Sequence, residues 1–209
     1  MSLTARGFED LALDNMVIIL GAYVTAQKVL YLAAHPTYTT AQINAAVGFT
    51  VERDRLTPPD ADDLALSALV VLGFDTENPK TGLGKATKGS TASFFADLYV
   101  AKGETSDGLK VSGDKGANSR LLYLKAQVES GLFNLANFDI GFPKGTIVKK
   151  PFGRWQNMTG TDETGEIWQV SGRWTFDFDY EWSPESPTGH SLDIISVNAG
   201  LWSALYNYP

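Results

Sequence analysis

The chain has 209 residues, contains no cysteine and carries a formal net charge of −7. Without cysteine it can form neither disulfides nor thiolate metal sites, and its acidic balance argues against general binding of nucleic-acid phosphates. The longest apolar stretch, Met16–Ala22, is too short to span a bilayer and follows acidic residues instead of a basic leader. We therefore expect neither a membrane span nor a signal peptide, in a chain long enough to bury its own core.

Charge is distributed unevenly along the chain. Residues 1–66 carry four basic and eight acidic side chains, and residues 67–118 carry six of each. Residues 119–158 carry six basic and two acidic side chains, a net charge of +4, whereas residues 159–209 carry one basic and eight acidic, a net charge of −7. The second half of the sequence is therefore polarised, with a basic segment followed by an acidic one.

Two helices are predicted near the N-terminus. Apolar residues that share one helical face recur at spacings of four, three and four: Leu13, Val17, Leu20 and Val24. Further along, Thr39 or Thr40 is suited to cap a short helix that ends at Val47, because a threonine hydroxyl accepts a hydrogen bond from an amide of the first turn. These helices indicate a segment that packs on a core formed by later residues.

Two strands, each followed by a glycine-rich segment, are predicted next. Leu64–Phe74 is rich in Leu and Val, which favours a buried strand, although its pattern also fits the start of a helix. Ser93–Ala101 alternates between two faces as a strand does. The segments Asp75–Thr91 and Lys102–Asn118 lack usable periodicity and are predicted to be long exposed loops.

The clearest helix signal begins near Ser119, which is a suitable N-cap. Five apolar residues follow at spacings of three, four, four and three: Leu121, Leu124, Val128, Leu132 and Leu135. Gly131 lies inside this helix and costs about 1 kcal/mol relative to alanine, which burial of the apolar stripe offsets. Gly145–Pro151 is then predicted to be a short basic strand.

The most regular pattern in the chain is the strict alternation over Ile167–Trp182. One face carries Trp168, Val170, Gly172, Trp174, Phe176, Phe178, Tyr180 and Trp182. The other face carries Ile167, Gln169, Ser171, Arg173, Thr175, Asp177, Asp179 and Glu181. This period of two predicts one long strand with one covered face, which bends at Gly172 or projects beyond the domain. Leu192–Tyr206 is predicted to form a final apolar strand or short helix.

The element order of helix, strands, helix and strands predicts an α+β fold. We expect a mostly antiparallel sheet with helices packed on one face and with long exposed loops. The chain divides into an N-terminal helical extension, residues 1–63, and a core domain, residues 64–209, on which the extension packs. Residues 75–91 and 102–118 are loop insertions in that core domain.

No motif for a cofactor or a metal meets the requirements of its chemistry. Gly108–Gly113 has the glycine spacing of a phosphate-binding loop, but Asp114 stands where the phosphate-neutralising lysine belongs. The only two histidines, His35 and His190, lack the spacing of a zinc site or a catalytic triad. The sequence therefore predicts no cofactor, no metal site and no catalytic residue.

The acidic residues of the long strand form the one pattern typical of an enzyme. Asp177, Asp179 and Glu181 share a strand face, and paired carboxylates at about 5–9 Å can hydrolyse glycosides. Aromatic side chains such as Trp174 can also bind sugars. A simpler interpretation is that the polar face is solvated while the aromatic face fills the core. We favour this interpretation and keep a carbohydrate-binding module or glycosidase as the alternative from a different class.

Three segments together resemble the tail terminator, or tail completion, proteins of long-tailed bacteriophages: Leu69–Leu72, Phe95–Val100 and Trp174–Tyr180. With the helix Leu121–Leu135 the resemblance extends over Leu64–Trp182. It implies a virion structural protein of the tail or neck, assembled in the host cytoplasm, that forms a hexameric ring and is not an enzyme. The ring would cap the tail tube protein, stop tube growth and join the tail to the head connector protein, with DNA passing nearby without sequence-specific binding. Another neck, connector or tube-associated ring protein is the alternative within this class.

Ring assembly also suggests a role for the charge polarity. A closed ring is built from heterologous contacts, in which one face of a subunit meets a different face of its neighbour. The basic residues proposed for this interface are Lys144, Lys149, Lys150 and Arg154, and the acidic ones are Asp177, Asp179 and Glu181. We predict that their attraction orients adjacent subunits, with most of the affinity coming from apolar burial.

Overall fold

A mixed, mostly antiparallel open sheet with helices packed on one face confirms the α+β class. The computed structural model describes residues 7–57, 59–60, 63–64, 67–79, 88–101, 103–104, 110–111, 113–151, 153–158 and 169–182. The predictions for Leu192–Tyr206, for His190 and for the start of the long strand at Ile167 lie outside these residues.

Three helices and eight strands make up the described part of the chain. The helices are α1 (Phe8–Ala34), α2 (Thr40–Val47) and α3 (Gly113–Leu132), with a short 3-10 helix at Leu135–Asn137. The strands are β1 (Phe49–Arg53), β2 (Ala68–Pro79), β3 (Lys88–Ala101), β4 (Gly103–Glu104), β5 (Lys110–Val111), β6 (Ile147–Lys149), β7 (Arg154–Met158) and β8 (Gln169–Trp182). The main sheet has the order β1-β2-β3-β8, with β6 and β7 both paired to the far side of β8. Only β1 and β2 run parallel, and β4 and β5 form a separate pair.

The predicted long strand is β8, and it lies inside the sheet. It pairs with β3 over its whole length, from Ala101 opposite Gln169 to Lys88 opposite Trp182, with no irregularity at Gly172. Over residues 169–182 the strand therefore does not project beyond its partner β3, and its pairing is regular at the glycine. Its length is stabilised by β3, which is equally long and places a cross-strand partner opposite every residue of β8.

The predicted loops Asp75–Thr91 and Lys102–Asn118 are longer than the loops of the structure. Residues 75–79 continue β2 and residues 88–91 begin β3, and these polar segments pair with each other across a bulge after Phe74. The predicted strand Leu64–Phe74 is correspondingly displaced, because β2 begins at Ala68. Cross-strand pairing decides these boundaries, since a partner strand stabilises residues whose own strand preference is weak.

The main helix was also predicted to begin too late and end too late. α3 starts at Gly113, six residues before the predicted cap Ser119, and therefore occupies the end of the predicted loop Lys102–Asn118. Its apolar stripe is buried from Leu121 to Leu132, but Leu135 is 89% exposed in the 3-10 helix. Gly131 allows close approach of α1, because a Cβ there would lie 2.8 Å from Leu20 Cδ2.

Helix α1 combines a buried N-terminal half with an exposed C-terminal half. Leu13, Leu20 and Val24 are buried as predicted, and none of the residues after Val24 is buried. Among the described helices, α1 alone is long and apolar enough to cross a membrane, judged by length and composition. Core helices of soluble proteins and signal sequences also meet these two criteria. Only 22% of its most apolar window is buried.

The segment before residue 64 contributes more than helices. Thr39, one of the two predicted caps, begins α2 and forms a reciprocal capping box with Gln42. Strand β1 follows and adds to the main sheet in register with Ala68–Leu72 of β2. Neither β1 nor β7 was predicted, because five residues are too few for a periodicity signal.

Glycine at position 172 makes room for a neighbouring indole. A Cβ built on Gly172 would lie 2.2 Å from Cζ2 of Trp155, which comes from the paired strand β7. We expect Gly172→Ala to lower the free energy of unfolding by about 2 kcal/mol, because the buried sheet cannot absorb the overpacking. The measurement is urea denaturation of this variant beside Gly21→Ala, an exchange with no atom within 4 Å of the new Cβ. Equal stability of Gly172→Ala and the wild type would contradict the close packing.

Candidate functional site

The aromatic face of β8 is buried beneath the helices. Trp174, Phe176, Phe178 and Tyr180 are at most 2% exposed. The ring of Phe133, which follows α3, lies 5.1 Å from Trp174 between centroids. These four side chains therefore form the core, and they cannot serve as a platform on which sugars stack.

The polar face of β8 is organised by hydrogen bonds to β3. Asp177 accepts a hydrogen bond of 2.7 Å from the Ser93 hydroxyl, and Asp179 accepts one of 2.6 Å from the Thr91 hydroxyl. Glu181 is exposed at the end of the row. Among the described residues, no group of three or more His, Asp and Glu is arranged to hold a metal ion.

An ion pair with a buried carboxylate and a partly exposed guanidinium lies further along the same face. Arg173 donates two hydrogen bonds to Asp97, of 2.6 and 2.7 Å, and its guanidinium lies 4.3 Å from the centre of the Phe95 ring. Asp97 is 6% exposed, and its hydrogen bonds raise the pKa of Arg173. The paired geometry fits a structural contact between β3 and β8.

The acidic and basic residues predicted for a subunit interface lie beside one another within one chain. Lys149 of β6 is in register with Asp179, and Arg154 of β7 is in register with Thr175. Lys144 is exposed in the turn before β6. Both basic strands pair with β8, so Lys149 and Arg154 lie beside the acidic strand of their own subunit.

Lys150 points into its own chain. Its ammonium donates hydrogen bonds to the carbonyls of Leu132, 3.1 Å away, and Asn137, 2.7 Å away. The rings of Phe133, Phe138 and Phe178 surround it, with centroids between 5.3 and 5.8 Å from Nζ. Burial lowers the pKa of Lys150 to about 7, against the opposing effect of the Asp139 carboxylate. The side chain closes the C-terminal end of α3, whose last carbonyls lack helical partners.

Arg120 plays a similar role at the end of α2 and was missed by the sequence analysis. Its guanidinium donates to the carbonyl of Gly48 at 2.8 Å and to Gln127 at 3.0 Å, and Gln127 in turn donates to Val47. Burial lowers the pKa of Arg120 to about 10. The sequence shows only an arginine on a helix, so nothing in it indicates these partners.

The β1 side of the sheet forms an acidic edge. Five carboxylates surround Arg53 and Arg55 here: Asp10, Asp14, Glu52, Asp54 and Asp63. An open groove of about 580 Å³ separates α1 from β1, and Val17, Ile18 and Val51 form its apolar wall. The acidic edge thus combines an excess of negative charge with an accessible apolar surface.

The opposite side of the sheet forms a basic edge, made of β6 and β7. Its exposed basic residues are Lys144, Lys149 and Arg154. Beside them, Lys125 of α3 lies over the ring of Trp155 and pairs with Glu129. The two edges of one sheet therefore carry opposite charge.

No protein-family model matches this chain, and no curated protein matches it.

Proposed function

We propose that this protein is a virion structural subunit, a tail terminator that forms a ring on the completed tail tube of a long-tailed bacteriophage. The observation that supports this is the arrangement of the three segments on which the resemblance depends. Leu69–Leu72, Phe95–Val100 and Trp174–Tyr180 are adjacent strands of one sheet, and α3 packs against the last two of these strands. The resembling segments thus form one contiguous unit instead of scattered matches.

The two unlike edges of the sheet suit a subunit of a closed ring. A sheet with two different edges can join head to tail into a closed ring, which exposes the same face on every subunit. Once the ring is closed, the edges are used up and no further subunit can be added at them. The ring would then present one face to the tube and the other to the head connector.

Net charge fits a position around the DNA channel. Each subunit carries −7, so a ring of several copies repels the phosphate backbone instead of binding it. DNA could then pass through the ring without being held. This agrees with a role that requires no sequence-specific recognition.

Native mass spectrometry and a tube-extension assay test the proposal. Native mass spectrometry should show a discrete ring, which we expect to be a hexamer. Added to growing tubes of the cognate tail tube protein, this ring should halt their elongation. Rings that stack into long tubes by themselves would indicate a tube protein instead. A monomer at high protein concentration, with no effect on tube length, would contradict the proposal.

A further inference from the structure

Each end of the main sheet is an open strand. β1 and β7 each have five residues, and among the described residues no strand pairs with the outer side of either one. The outward amide and carbonyl groups of such strands are a template for pairing with another chain. In the described part of the chain, two edge strands of equal length thus lie at opposite ends of the sheet.

The charges of these edges are complementary between copies. Residues 1–66, which supply the acidic edge, carry a net charge of −4, and residues 119–158, which supply the basic edge, carry +4. In contrast, the acidic residues described in segment 159–209 are Asp177, Asp179 and Glu181 of β8. This strand lies inside the sheet, beside the basic strands of its own chain. Charge therefore favours contact between unlike edges and opposes contact between two acidic edges.

Side chains on the two edges point to matching faces. Glu52 is in register with Val71, and Arg154 is in register with Thr175, so both lie on the sheet face away from the helices. If the sheet continued from one copy to the next, these two side chains would lie on the same face of the joined strands. Glu52 is exposed and so is Arg154.

The helical layer offers a second contact at the same junction. Ile18 of α1 is 46% exposed beside the groove of the acidic edge, and Leu122 of α3 is 57% exposed. α3 packs over β3 and β8 next to the basic edge, where Lys125 touches Trp155. When two sheets join edge to edge, the α3 of one copy is brought next to the α1 of the other.

We infer that the acidic edge of one copy pairs with the basic edge of the next, so that β1 and β7 form an intermolecular antiparallel strand pair. This inference rests on the proposed function, in which the chain forms a ring, and it names the surfaces that meet. The antiparallel direction of this strand pair follows from the fold. Within one chain β1 runs antiparallel to β7. A rotation about an axis parallel to the strands leaves strand directions unchanged, so β1 of one copy also runs antiparallel to β7 of the next. The contact is heterologous, as a closed ring requires.

The interface needs contacts between helices, as well as the strand pair, to bury enough area for a stable complex. A specific interface buries about 800 Å² on each partner, and a five-residue strand edge contributes only part of that area. Packing of Leu122 into the groove beside Ile18 adds apolar burial to the strand contact. The charged residues then select the partner edge, while the buried surface supplies most of the affinity.

Cysteine trapping tests the contact directly, because the native chain has no cysteine. The variant Glu52→Cys is mixed in turn with Arg154→Cys, Gln156→Cys and Met158→Cys, three positions on one face of β7 that cover the unknown register. Oxidation is expected to link the Glu52→Cys chain to at least one of these partners, and to leave each variant unlinked when oxidised alone. Within one chain the edges are four strand spacings apart, roughly 19 Å, which is too far for a disulfide.

The matched control is Glu52→Cys mixed with Glu181→Cys. Glu181 is an exposed carboxylate on β8, a strand inside the sheet, and we expect no link to it. Rings of wild-type protein with no link in any of the three mixtures would overturn the inference and leave the proposed function standing. Linked chains that never close would support the edge contact and overturn the ring, and an unlinked monomer would overturn both.

Discussion

Replacing Trp174 with alanine is expected to lower the free energy of unfolding by about 4 kcal/mol, within the range for buried aromatic residues. Trp174 is 1% exposed, and its ring centroid lies 4.6 Å from Phe176 and 5.1 Å from Phe133. Removing the indole leaves a cavity between β8 and the helical layer. Since domains of this size are stable by about 5–15 kcal/mol, the midpoint of urea denaturation should fall by about a quarter or more.

A graded pair of variants keeps this prediction testable if the alanine variant does not fold. Trp174→Phe retains an aromatic ring in the same position and should cost roughly half as much, since less volume is lost. A loss below about 1 kcal/mol for the alanine variant would mean that the aromatic face is exposed. The same result would support the alternative in which the aromatic strand binds sugars.

The pH dependence of stability is expected to depend on Lys150. Its pKa is about 7 in the folded chain and 10.5 for an unperturbed lysine, so the unfolded chain binds one more proton between these values. Stability should therefore rise with pH in this window, by about 2 kcal/mol between pH 7 and pH 9. The contribution is smallest below pH 7, where lysine is protonated in both states and the folded chain must bury the charge.

Lys150→Met removes the titrating group and should flatten this rise. The variant should also be less stable than the wild type at pH 9, because the carbonyls of Leu132 and Asn137 lose their donor. Lys149→Met is the matched control, since Lys149 is the adjacent lysine and is exposed. Guanidinium denaturation at several pH values gives the slope for each variant, and an unchanged slope in Lys150→Met would contradict the assignment.

The helices and the central strand were predictable because their signals are long and regular. The fourteen residues of β8 alternate between apolar and polar side chains, and this alternation predicts which face of the strand is covered. The apolar stripe from Leu121 to Leu132 predicts α3 in the same way. The first turns of α3 are not predicted, because Gly113–Asn118 lacks an apolar repeat. Short elements without a repeat, such as β1 and β7, were missed for the same reason.

The sequence predicts charged residues for an interface but not their positions in the sheet. The seven charged residues proposed for an interface were chosen from the net charge of segments, and charge in the sequence does not say which strands are neighbours. Pairing of β6 and β7 with β8 places Lys149 and Arg154 beside the acidic strand of their own chain, and Lys150 turns inward. Strand β1, which carries the acidic edge in the contact inferred above, joins the sheet without any periodicity signal in the sequence.

By itself, the sequence determined the α+β class, the aromatic core strand, the main helices and the absence of thiol chemistry. These properties follow from local periodicity and composition, which every residue carries with it before folding. The tertiary structure alone decided which strands lie at the edges, how opposite charges are divided between those edges, and which cations close the ends of α2 and α3. Each of these depends on contacts between residues far apart in the chain, and no local pattern encodes such contacts.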